Sequence, residues 1–133
     1  MRGWWPKGAE AVLNKEIDFD TDTLKVALLA ATYAYNAAHD FYNDISSAVV
    51  GTPQTLTSVT KAGGVLDAAD SLFAALVGAE VGAFAIYKDT GVAGTSTLLI
   101  FIDDYAGLPF TPDGSDLPIV WPSAGIMTPA LAA

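Results

Sequence analysis

Two nearly continuous apolar runs constrain the fold of this chain more than any other feature of its sequence. They cover residues 81–88 and 97–103, and the loop between them, residues 89–96, is rich in glycine, threonine and serine. Strands that are apolar on both faces are typical of the middle of a sheet, because other parts of the protein then cover each face. The two runs therefore predict central strands of a sheet that is buried on both sides.

Weaker strand signals surround this centre. Apolar and polar residues alternate into a predicted strand over residues 23–30, and the Thr- and Val-rich residues 55–61 also favour an extended chain. A pair of glycines precedes a further extended run over residues 65–68. Residues 67–77 fit either a helix or a strand.

Proline and helical spacing define the remaining elements. Five of the seven prolines lie after residue 108, which disfavours a helix there and leaves residues 117–121 and 125–128 as short edge strands. Residues 8–15 have apolar side chains at helical spacing and predict a short N-terminal helix. Residues 39–47 fit one or two helical turns on the surface of a sheet.

These elements predict a mainly β fold. About eight short strands with two short helices are typical of an antiparallel β-sandwich or a partly open barrel. The length of 133 residues fits one domain. Around it we expect an N-terminal arm over about residues 1–7 and a C-terminal tail over about residues 129–133.

Charge and the rare residue types exclude several classes of function. The net charge is −9, and the 6 basic side chains are scattered along the chain, whereas binding to nucleic acid requires clustered Lys and Arg. The chain has no cysteine and one histidine, which excludes thiol nucleophiles, zinc fingers, redox pairs and His-rich metal sites. Any enzyme chemistry would therefore depend on carboxylates.

Apolar content is high for a chain with so few charges. Hydrophobic residues make up 52% and charged residues 16% of the chain, and the mean hydropathy is +0.39. The longest apolar stretch, residues 72–87, is interrupted by Glu80 and is shorter than the roughly 18 to 20 residues that span a bilayer. Because no membrane segment or signal peptide is expected, the composition predicts a subunit that buries surface against other proteins. The alternative is an ordinary monomer with an alanine-rich core.

Asp18, Asp20 and Asp22 resemble the first three ligand positions of a calcium-binding loop. Thr23 stands where the tight-turn glycine of such a loop belongs, and Leu29 stands where its bidentate glutamate belongs. A solvated acidic edge that enters a strand is therefore the favoured interpretation. The three aspartates remain candidates for calcium ligands.

Asp103 and Asp104 are the carboxylates that would act as acid and base in an enzyme. Carboxylate pairs are common in a chain with 15 acidic residues, and a glycosidase needs a deep cleft between them. His39 and the serines form no Gly-x-Ser-x-Gly motif, and Gly91 and Gly94 lack the following helix of a phosphate-binding loop. We therefore expect no catalytic residue and no cofactor.

Trp4, Trp5 and Pro6 are candidates for a protein interface, because aromatic residues bury much area at small entropic cost. The alternative is a staple that packs against the first helix of the same chain. Trp121 and Leu131 are the other interface candidates. Leu131 belongs to an uncharged segment that either docks on a neighbouring subunit or frays.

Several segments resemble small structural proteins that are encoded in the virion-assembly gene clusters of tailed bacteriophages. The matching segments keep their order and spacing over nearly the whole chain: residues 14–28, 39–45, 64–68, 86–91 and 107–116. The most specific of them are the acidic entry to the first predicted strand and the Tyr-Lys-Asp-Thr-Gly turn. The departures are the Trp-Trp start and Pro122 with Ser123, where the family more usually has an Asp-Asn-Gly turn. The family is β-rich across residues 67–77, which favours a strand there.

The resemblance implies a structural component of a phage particle. The first expectation is a capsid decoration (cement) protein on the outer surface of the head, in contact with the major capsid protein and with neighbouring copies of itself, as a trimer by analogy. An acidic protein suits the outside of a capsid better than its DNA-facing interior. The protein is expected to be made in the host cytoplasm and to bind neither nucleic acid nor a membrane.

Two alternatives from other classes stay open. The first is a tail, baseplate or head–tail junction subunit that presents Tyr33, Tyr35 and Trp121 to host glycans. The second is an enzyme that uses Asp103 and Asp104 for acid–base chemistry.

Overall fold

The computed structural model describes residues 1–127 of the chain. Within this part it has seven strands and one α-helix: β1 (Arg2–Trp4), α1 (Pro6–Leu13), β2 (Leu24–Ala30), β3 (Val49–Thr55), β4 (Ser71–Phe73), β5 (Val81–Lys88), β6 (Leu98–Ile102) and β7 (Leu117–Ile119). Short 3-10 turns lie at Tyr42–Asp44, Ser46–Ala48, Ala62–Gly64 and Ala93–Thr95. The predicted tail over residues 129–133, with Leu131, lies outside the described residues.

The strands form two antiparallel sheets. Five of them pair in the order β1-β6-β5-β2-β3, and β4 pairs with β7 in a second, two-stranded sheet. The prediction of a mainly β fold is confirmed: the arrangement is sandwich-like, and the described strands do not close into a barrel. The prediction of two central strands is also confirmed, because β5 and β6 each have a strand on both sides.

Both faces of the five-stranded sheet are buried. One face packs against the two-stranded sheet and the loops around it, through Leu28, Phe84, Ile86, Ile100, Ile102, Phe73 and Ile119. The opposite face carries Ala27, Ala85, Tyr87 and Phe101, and it is covered by Trp5, Tyr33, Tyr35 and Ile45. This double burial accounts for the unusual apolar content of β5 and β6.

Helix α1 lies close to β6. Pro6 occupies the start of the helix, where its fixed φ is favourable and its missing N–H leaves no hydrogen bond unmade. The pairing of β5 with β6 skips Leu99, which forms a bulge, and the backbone N–H of Trp5 donates to the Leu99 carbonyl at 2.8 Å. Gly8 faces this bulge and is buried.

Two sequence-based boundaries are wrong. The predicted N-terminal arm is not free, because Arg2–Trp4 pairs with β6 as an edge strand of the main sheet. Strand β3 covers Val49–Thr55 and not residues 55–61. Gly51, with a φ of 71°, and Pro53 weaken its strand signal, yet a bulged edge strand accommodates both.

Two further predictions hold in a reduced form. The predicted surface helix over residues 39–47 consists of two single 3-10 turns, Tyr42–Asp44 and Ser46–Ala48. The ambiguous residues 67–77 contain the strand Ser71–Phe73 and no helix.

Candidate functional site

The candidate site is an open groove between the edges of the two sheets. β3 ends the five-stranded sheet, β4 borders the two-stranded sheet, and no other described strand pairs with the outer edge of either one. The groove has a volume of about 330 Å³. Its lining comes from β3 and from β4 with the turn that follows it: Gly51, Thr52, Gln54, Leu72, Phe73, Ala74, Ala75, Leu76 and Val77.

The register between β4 and β7 determines that the backbone N–H and C=O of Leu72 face this groove. Leu72 stands opposite Pro118, which has no N–H and therefore cannot belong to a hydrogen-bonded pair of an antiparallel ladder. In a non-hydrogen-bonded pair, the N–H and C=O of each residue point away from the partner strand. The N–H and C=O of Leu72 therefore point towards the outer edge of β4.

Side chains, and not backbone hydrogen bonds, close the floor of the groove. A Cβ added to Gly51 would lie 2.7 Å from Cδ1 of Leu76, and one added to Gly78 would lie 3.1 Å from Cγ1 of Val50. The two glycines thus let the residues after β4 approach β3 closely. The strand edges above this floor remain unpaired among residues 1–127.

The groove is uncharged in a strongly acidic protein, and its lining combines apolar side chains with the polar side chains of Thr52 and Gln54. None of its nine lining residues carries a charge, although the chain has a net charge of −9. Leu72 and Val77 stand at its rim with 52% and 66% of their surface exposed. Unpaired strand edges beside exposed apolar side chains are the features with which a sheet binds an added extended segment.

The tryptophans near the start of the chain have different environments. Trp5 is 0% exposed and packs on Tyr35 and Phe101, with ring centroids 5.6 Å from each. The prediction that Trp5 anchors an interface is therefore wrong: its ring is a core side chain of the same chain. Trp4 is half-buried beside Phe19, and Pro6 is exposed.

Trp121 is also buried, and the structure separates it from the two tyrosines with which it was grouped. It is 6% exposed and packs on Phe84 in the core between the sheets. Tyr33 and Tyr35 lie on the opposite face of the five-stranded sheet. These three rings therefore form no common surface for a glycan, and the prediction of Trp121 as an exposed anchor is wrong.

The candidate calcium ligands hold a turn together through their own side chains. Asp18 accepts from the backbone N–H of Asp20 at 2.9 Å, and Asp22 accepts from that of Asp18 at 2.7 Å. Lys61 pairs with Asp20, and Lys88 pairs with Asp22 at 3.2 Å. Among the described residues, no group of three or more His, Asp or Glu side chains is placed to hold a metal ion.

Asp103 and Asp104 follow β6 on the surface and pair with the start of the chain. The amino group of Met1 contacts Asp103, and the guanidinium of Arg2 lies 2.9 Å from Asp104. Both carboxylates are exposed. They help to hold β1 beside β6.

A second concavity of about 260 Å³ lies where β2 begins and β5 ends, beside Lys25 and Tyr87. It contains an ion pair of Lys25 with Asp89 at 3.0 Å and the tilted rings of Tyr42 and Tyr87, whose centroids are 4.6 Å apart. Burial raises the pKa of both tyrosines. The backbone N–H of Gly91, followed by Lys25, holds the pKa of Asp89 below its usual range.

We expect the replacement Asp89→Asn to lower the free energy of unfolding by about 1 kcal/mol at pH 7. The folded-state pKa of Asp89 is depressed, so its contribution is full above the unfolded value near 3.8 and is lost as the pH falls through the folded value. Urea unfolding at pH 7 and pH 3 measures this. The difference from the parent chain should shrink at pH 3, whereas an equal difference at both pH values contradicts the assignment. Glu10→Gln, at an exposed ion pair, is the control and should change the free energy by less than about 0.5 kcal/mol.

Comparisons with known proteins add no family to this description. Neither the comparison with protein-family models nor the comparison with curated proteins finds a match for the chain. The described part of the chain contains no helix that is both long and apolar enough for a membrane span. The class that the structure defines is therefore a mainly β, sandwich-like protein with an open, uncharged groove.

Sequence reasoning missed the groove residues Leu72 and Val77. Both lie in the apolar stretch of residues 72–87, and apolar residues in such a stretch are most often core residues. One sequence feature points to the groove, namely Pro118 in β7. Because proline has no N–H to donate, it determines which backbone groups of β4 pair with β7 and which point away from it.

Proposed function

We propose that this protein is a structural subunit of a tailed-bacteriophage particle, and that it acts as a decoration protein on the outside of the head. The observation that carries the proposal is the uncharged groove between β3 and β4, whose outer edges pair with no other strand among residues 1–127. It offers backbone and apolar contacts to another protein chain, and the resemblance of five segments to phage structural proteins supports the same role.

The charge of the protein suits this location. Packaged DNA repels a chain with a net charge of −9, so the outer surface of a capsid is the favourable place for it. A decoration protein works mechanically: it buries surface across the junctions between capsid subunits and holds them together against the internal pressure of the DNA. Stable contacts of this kind bury about 800 Å² on each partner.

Quantitative mass spectrometry of separated heads and tails tests the proposed location. We expect this chain in the head fraction, at a copy number close to that of the major capsid protein. A copy number far below that value, or recovery in the tail fraction alone, overturns the decoration role. Recovery in tails favours the alternative of a tail or baseplate subunit.

A further inference from the structure

We propose that the groove between β3 and β4 binds residues 128–133 of a second copy of this chain, so that the subunits assemble head to tail. This inference concerns self-assembly and does not depend on the role in a phage particle. It is carried by the polarity of the groove, by the place where the described chain leaves the fold, and by the reach of six residues.

The chemistry of the segment matches that of the groove. No residue from Leu117 to Ala133 has a charged side chain, and residues 128–133 read Thr-Pro-Ala-Leu-Ala-Ala. An uncharged segment with one large apolar side chain, Leu131, suits a groove whose nine lining residues are also uncharged. A charged segment would lose hydration there without gaining a partner.

The length of the segment matches the strand that it would meet. Pro129 has no N–H to donate, so the paired part is residues 130–133, which extend over about 13 Å. β4 has three residues, or about 10 Å. The N–H and C=O of Leu72 are the backbone groups that point towards such a segment, whereas Pro53 leaves β3 with one donor fewer.

The described chain ends close to β1, at the edge of the five-stranded sheet opposite β3. The carbonyl of Ile126 accepts from the guanidinium of Arg2 in β1 at 2.7 Å, and Met127 forms a bridge with Leu66. Leu66 lines a cavity together with Trp4 of β1. The described chain therefore ends beside β1, and the groove lies beyond β3.

Four strand spacings separate β1 from β3 in the order β1-β6-β5-β2-β3, which is about 19 Å. Six fully extended residues span at most about 20 Å, and a path around the surface of the sandwich is longer than the direct one. Residues 128–133 are therefore too short to cross this distance and then also pair along the groove of their own chain. A neighbouring copy can present its groove to them directly.

A donor at one edge and an acceptor at the opposite edge make a heterologous contact. Such contacts close into a ring when the rotation between subunits permits it, and a trimer is the smallest ring after a dimer. The expected assembly of the purified full chain is therefore a closed ring.

The test uses native mass spectrometry and light scattering on the purified full chain and two variants. The donor-deficient variant ends after Met127, and the groove variant carries Leu72→Asp with Val77→Asp, two exposed positions where substitution leaves the core intact. We expect the full chain to form a ring and each variant to stay monomeric at concentrations about 100-fold higher. Circular dichroism and urea unfolding confirm that both variants are folded.

Mixing the two variants distinguishes strand donation from unspecific association. The groove variant keeps its donor segment and the shortened variant keeps its groove, so the mixture should form a 1:1 dimer and no ring. Leu13→Asp, at an exposed position of α1, is the matched control and should assemble like the parent chain. A monomeric full chain, an assembled shortened variant, or a mixture without dimers overturns the proposal. A monomeric full chain would instead leave the groove to a segment of another protein.

Discussion

The replacement Trp5→Ala lowers the free energy of unfolding by about 3–5 kcal/mol, the range for removing a fully buried large aromatic side chain. Trp5 is 0% exposed and packs against Tyr35 and Phe101 on one face of the five-stranded sheet. Its indole N–H also donates to the carbonyl of Asn36 at 3.1 Å. A domain of this size is typically stable by about 5–15 kcal/mol, so this variant should be close to unfolding at 37 °C.

Urea unfolding at pH 7 measures this loss, and Trp4→Ala provides the matched control. Trp4 is half-buried and touches Phe19 at an edge, so its replacement should cost about 1–2 kcal/mol. Trp5→Phe should fall between the two, since it keeps an aromatic ring but leaves the Asn36 carbonyl without this donor. Equal losses for Trp4→Ala and Trp5→Ala would contradict the different environments of the two side chains.

The replacement Gly8→Ala destabilises the protein by about 1–3 kcal/mol. Alanine normally favours a helix over glycine by about 1 kcal/mol, so the expected sign is opposite to helix propensity. The reason is steric: a Cβ on Gly8 would lie 2.5 Å from the carbonyl oxygen of Leu98 and 2.7 Å from Cα of Leu99. Both are backbone atoms of a central strand, which cannot move aside as the end of a flexible side chain can.

Gly3→Ala is the control for this prediction. A Cβ on Gly3 meets no atom within 4 Å, so the free energy of unfolding should change by less than about 0.5 kcal/mol. Thermal and urea unfolding of both variants measure these changes in the free energy of unfolding. An unchanged or increased stability of Gly8→Ala would show that α1 does not pack against the β6 bulge as described.

The centre of the fold was predictable because its signal is local. Residues 81–88 and 97–103 are apolar at nearly every position, and this pattern alone indicates strands covered on both faces. β3 was not predictable in the same way, because Gly51 and Pro53 interrupt its pattern. Those residues are acceptable there because β3 pairs with β2 on one side and, within the part of the chain that the structure describes, with no strand on the other.

Which individual side chains are buried, and which of them line the groove, depends on contacts between distant parts of the chain. Trp4 and Trp5 are adjacent and chemically identical, yet only Trp5 points towards Tyr35 and Phe101. The groove likewise joins Gly51 of β3 with Leu76, which follows β4. No spacing rule within either segment brings those edges together, so the site appears only once the two sheets are packed.

A comparison of head reconstructions, from particles with and without this protein, tests whether it decorates the outside of the head. We expect difference density on the outer surface of the head, at the junctions between capsid subunits, with a volume that fits whole copies of a 13.8 kDa chain. The heads that lack the protein should also release their DNA at a lower temperature. Identical head reconstructions, or difference density confined to the tail, would contradict the proposed role as a capsid decoration protein.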